Sequence, residues 1–127
     1  MAHLTVDGSD LVLRLTPREK IAGLHANIRV PLASIRSVSV PEYPWQAMRG
    51  WRMAGTAVPR IVALGTRRHA TGYDFTAMHR GQPGAVQVEL ASGRFERLLV
   101  SVGDPDYARA EAERIAGAAG IRVSEGR

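Results

Sequence analysis

Apolar and polar residues alternate with a period of two along most of this chain, and the alternation breaks wherever turn-forming residues cluster. Leu4 and Val6 alternate with polar neighbours, Asp7-Gly8-Ser9-Asp10 makes a turn, and Leu11, Leu13 and Leu15 resume the pattern, which predicts a first β-hairpin. Thr16-Pro17-Arg18-Glu19 then offers a capping hydroxyl, a proline at the first helical position and a glutamate three residues after the cap. That grouping predicts a short helix over 17–24, docked by Ile21 and Leu24. Strands follow at 27–31 and 33–40, and the uneven step from Ile35 to Val38 predicts a bulge. Ile61–Gly65, Tyr73–His79, Ala85–Ala91 and Phe95–Val102 are four more β-prone runs, with turns at Gly81-Gln82-Pro83-Gly84 and Ser92-Gly93-Arg94. Pro41–Arg60 has no clean period and reads as a long loop carrying Tyr43, Trp45, Met48, Trp51 and Met53.

The chain then changes period. Asp104 is a helix cap, Pro105 a first helical residue, and Ala108, Ala112, Ile115, Ala116 and Ala119 make one apolar stripe, so a helix is expected over 105–118. Strands that bury one face need a cover and an open end needs a stopper. The expected fold is therefore mainly β: a partly open antiparallel barrel or sandwich of about seven strands, closed by the C-terminal helix. One domain over 1–120 and a tail over 121–127 complete it.

Composition narrows the chemistry. The 127 residues include no cysteine, which excludes disulfides, thiol catalysis and cysteine-ligated zinc. Asp7 and Asp10 interrupt the N-terminal alternation where a signal peptide would be basic and then continuously apolar, and no run approaches the ~20 apolar residues of a membrane span. A soluble, cytoplasmic protein is expected. The net charge is +5, and +4 of it lies between Pro41 and Arg80.

Gly50 to Thr56 has the glycine spacing of a phosphate loop, but Thr56 stands where the lysine is required and Pro59 opposes a following helix. His3, His25, His69 and His79 have no short metal-ligand spacing and read as surface or edge residues. No serine sits in a nucleophile elbow, and Asp74 and His79, five apart on one strand, leave opposite faces. These patterns predict a protein that is not an enzyme and takes no cofactor or metal.

Glu19-Lys20, Asn27-Ile28-Arg29-Val30-Pro31, Pro44-Trp45, Arg49-Gly50, Gly55-Thr56, Pro59 and Ser101-Val102-Gly103-Asp104-Pro105 together resemble the bacterial pleckstrin-homology-like domains, small single-domain proteins of GC-rich bacteria. The resemblance implies the barrel-and-helix architecture and a binding role. It departs from the phosphoinositide-binding members, because the first hairpin turn is acidic where theirs is basic. Trp45, Arg49, Trp51, Arg52, Arg60, Arg67 and Arg68 are the candidate interaction residues. Large aromatics in a loop either cap the sheet from outside or, ringed by arginines, form a contact rim.

The leading expectation is a binding or assembly module that contacts a protein partner, or a second copy as a homo-oligomer, through the 41–68 region and a sheet edge. Weak association with an anionic surface fits the charge; specific nucleic-acid binding is not expected. The alternative is a carrier of a small apolar or anionic ligand, such as a lipid, in a pocket under the loop lined by Tyr43, Trp45, Met48 and Tyr73.

Overall fold

The computed structural model describes residues 3–23, 26–58 and 61–124; the expectations placed on Leu24, His25 and Arg60 lie outside these residues. The order of elements is β1 (His3–Asp7), β2 (Asp10–Arg14), α1 (Pro17–Gly23), β3 (Ile28–Pro31), a 3-10 turn (Leu32–Ser34), β4 (Ile35–Ser39), α2 (Pro44–Ala47), β5 (Trp51–Val58), β6 (Val62–His69), β7 (Gly72–His79), β8 (Ala85–Leu90), β9 (Arg97–Ser101), α3 (Pro105–Ala118) and β10 (Val123–Ser124). The protein is mainly β, as its alternation implies, and the barrel is not closed. One sheet has the order β1-β2-β3 and the other β10-β4-β8-β9-β7-β6-β5.

The inner face of the large sheet carries Leu64, Phe75, Val86, Val88, Leu98 and Val100, which join Leu4, Leu11, Leu13 and Ile28 of the small sheet in one core. Helix α3 completes it with Ala108, Ala112, Ile115 and Ala116, all buried. The alanines let the helix lie close to both sheets, and Arg114 ties it to β1 by donating to the Leu4 carbonyl at 2.9 Å. The expected cap holds its first turn: Asp104 accepts from the Tyr107 N–H at 2.8 Å. The bulge expected in β4 is present between Ile35 and Ser37.

Several local features differ from the sequence expectation: the strand expected over 33–40 starts only at Ile35, after the 3-10 turn, and Pro44–Ala47 inside the expected loop is helix α2. Residues 51–58, part of the expected loop, form β5, the outermost strand of the large sheet. An outermost strand buries little, and a bulge between Arg52 and Ala54 shifts its parity, so the two-residue period does not show in its sequence. Ile21 does not dock α1; it is 77% exposed, and Ala22 packs against the core instead. Finally, the large sheet is mixed. Strand β9 inserts between β7 and β8 and runs parallel to β7, and Val123 and Ser124 pair parallel to Val38 and Ser39. No described helix is long and apolar enough to cross a membrane.

Candidate functional site

The outer face of the large sheet is built in rows. Strand register places Arg67, Asp74, Arg97 and Glu89 side by side across β6, β7, β9 and β8, so charges alternate in sign along one row. Further along the strands Ala63, Met78, Ala85 and Leu99 form a small apolar patch. The segment 44–50 lies over both. Trp45, Ala47 and Met48 pack on the apolar patch, and the charged row grips the segment's backbone and its one arginine.

That grip centres on Asp74, which is 2% exposed. Arg49 donates from Nε to Oδ2 at 2.7 Å and from Nη2 to Oδ1 at 3.0 Å, a two-pronged pairing suited to a planar guanidinium. The hydrogen bonding to Asp74 raises the Arg49 pKa further above its already high ordinary value. Arg67 donates to the carbonyls of Arg49 and Gly50 at 3.2 and 2.9 Å, and Arg97 donates to the Ala47 carbonyl at 3.0 Å and to Glu89 at 2.6 Å. Gly50, at φ +75°, abuts the Arg68 carbonyl so closely that a Cβ would overlap it.

His69 completes the cluster. It is 7% exposed, so the expectation of a surface or edge histidine does not hold for it. Its Nε2 lies 3.0 Å from Asp74 Oδ1, while Nδ1 receives the Thr71 N–H at 3.4 Å. A carboxylate that only accepts and an Nδ1 that accepts leave the proton on Nε2. Thr71 Oγ1 is 3.3 Å from Nδ1, so an acid, an imidazole and a hydroxyl stand in line. The hydroxyl donates its proton to Glu96 at 3.0 Å, however, which ties the β6–β7 hairpin to the residue just before β9 and directs that proton away from His69. His79 is likewise engaged: its Nε2 is 2.8 Å from Glu19 Oε2, and the other oxygen of Glu19 accepts the Thr16 N–H at 3.0 Å. The capping glutamate thus anchors α1 to β7.

The six described candidate residues separate into two groups. Trp45, Arg49 and Arg67 belong to the clamp, with Trp45 half-buried as a cap on the sheet. Trp51, Arg52 and Arg68 stay exposed on β5 and β6, Trp51 at 56%. Arg68 leans over the Tyr73 ring, 5.0 Å from its centroid, and donates to its hydroxyl at 2.7 Å. Arg60 lies outside the described residues. Sequence reasoning missed His69, Thr71, Glu96 and the Glu19–His79 pair; the hairpin spacing of His69 and Asp74 was the available signal, since it puts them on adjacent strands.

Two separate hollows flank Trp45 of the 44–50 segment. Tyr43 and Trp45 line a hollow of about 270 Å³ with Arg80 and Pro83, and Trp45 and Met48 line another of about 230 Å³ with Val58 and Ala63. Tyr73 belongs to the opposite face. A polar hollow of about 340 Å³ beside the β8–β9 turn presents both signs of charge, Arg36 and Arg49 with Glu89 and Glu96. Among the described residues no group of three or more His, Asp or Glu is arranged to hold a metal ion. The chain matches no family model, no curated protein and no solved structure.

Proposed function

We propose that this chain is a non-enzymatic binding module on a pleckstrin-homology-like scaffold, and that it contacts a protein partner along β5. The observation that carries the reading is the position of β5: it ends the large sheet, pairs only with β6 among the described strands, and shows Trp51 and Met53 at 56% and 54% exposure. An outermost strand presents a row of backbone donors and acceptors ready for another chain. The 44–50 segment serves this surface from behind. Its clamp fixes where β5 begins, because Arg67 holds the carbonyls of Arg49 and Gly50 just before Trp51. A carrier with its ligand beside Trp45 is the weaker reading, since both hollows there fall below the roughly 300–1,000 Å³ of a typical small-molecule cleft.

Met53 and Tyr107 are matched in exposure, at 54% and 55%, and lie on β5 and α3 respectively. Replacing each in turn by the photo-crosslinker p-benzoylphenylalanine and irradiating in cells of the source organism compares the two surfaces. Protein adducts are expected from position 53 and not from position 107. Adducts from 107 alone, or from neither position, refute a protein contact at β5.

A further inference from the structure

Resting on the reading of β5 as a protein-binding edge, we propose that its partner is an acidic segment, alternating carboxylate and apolar residues, that adds to the large sheet as a new strand. The backbone supplies the template. Eight residues, Trp51–Val58, make β5 long for a strand, and their far side meets no described strand.

Charge selects the occupant. Between Tyr43 and Tyr73 the sequence contains five arginines and not one Asp or Glu. Arg52 on β5 and Arg68 on β6 are exposed, and so are Arg18 and Lys20 on α1, which touches β5 where Thr56 donates to the Ala22 carbonyl at 2.8 Å. The one carboxylate of α1, Glu19, is 4% exposed and turned to His79. The edge therefore lies among exposed cations with no exposed carboxylate of its own elements beside them. A second copy would bring the same cations into the contact and be repelled, whereas an acidic strand is attracted within a screening length of about 8 Å.

Side-chain pattern sets the alternation. Trp51 stands in register with Arg68, and Arg52 with Arg67, so the two residues leave opposite faces of β5. A partner strand meets the exposed indole of Trp51 on one face and the Arg52 guanidinium on the other. The bulge between Arg52 and Ala54, together with the charge of Arg52, disfavours indiscriminate pairing with purely apolar strands.

The test uses the full chain and three fluorescein-labelled nonapeptides read by anisotropy: one alternating Glu with Val and Thr, the same peptide with Lys for Glu, and the acidic peptide N-methylated at alternate backbone amides. The acidic peptide is expected to bind, with the other two weaker by about ten-fold or more. Arg52→Glu should weaken the acidic peptide and strengthen the lysine one, a reversal that a misfolded variant would not give. Equal binding of the N-methylated peptide overturns strand addition. So does binding to phosphatidylglycerol vesicles with none to the acidic peptide, and so does a concentration-dependent dimer that Arg52→Glu strengthens. If position 53 crosslinks to protein while the acidic peptide fails, the protein contact stands and the acidic strand is refuted.

Discussion

Asp74 shows how a single residue takes its meaning from register. Read along the chain it is one of two acids that partly offset the arginines between Pro41 and Arg80, and nothing local says which arginine it meets. In the folded protein it accepts from both prongs of Arg49 and lies beside His69, 25 and 5 residues away. Asp74→Asn keeps the shape and removes the charge. Breaking one side of a buried pair costs roughly 3–5 kcal/mol, and since the Arg49 side chain keeps 37% of its exposure and rehydrates, a loss of about 2 kcal/mol is expected. Urea unfolding with an unchanged m-value measures it; a loss below about 0.5 kcal/mol would mean that the clamp does not hold the 44–50 segment. Exposed pairs behave otherwise: Arg29 holds the Asp7 carboxyl below the ordinary carboxylate range, yet both sit in solvent, where such a pair contributes little.

At the scale of elements, legibility followed burial and local chemistry. The first hairpin, the capping box at Thr16 and Glu19, the β4 bulge and α3 are each specified by neighbours within a few residues, and each is present. Strand β5 was not legible, because an edge strand with a parity shift and few buried side chains leaves no periodic trace. The docking face of α1 was hidden for a different reason. A polar residue, Glu19, turns inward because His79, sixty residues on, is there to meet it. The crossing from β7 to β8 depends on Gly84, whose backbone passes against the Asp104 carbonyl at the cap of α3 with no room for a Cβ. Gly84→Ala must shift that cap and is expected to cost about 2 kcal/mol or more. Gly117→Ala, in open space on α3, should instead stabilise by about 0.5–1 kcal/mol. Thermal unfolding of the two variants reads the opposite signs.

Over the whole molecule, the two tryptophans divide between architecture and surface. Trp45 covers the outer face of the sheet, while Trp51 stands 56% exposed at its margin. Iodide should therefore quench Trp51 strongly, and Trp51→Phe should remove most of the quenchable emission while Trp45→Phe leaves it; equal quenching of both would put the 44–50 segment in solvent. The mainly β class, the closing helix with its caps and the cationic middle are all written along the chain, because periodicity, capping and composition are properties of neighbouring residues. Folding alone settles which arginines brace the sheet and which face outward, that β9 inserts between β7 and β8, and that β5 lies at the margin. Those outcomes depend on which distant strands pair and in what register, and pairing is fixed by the shared core rather than by any one segment.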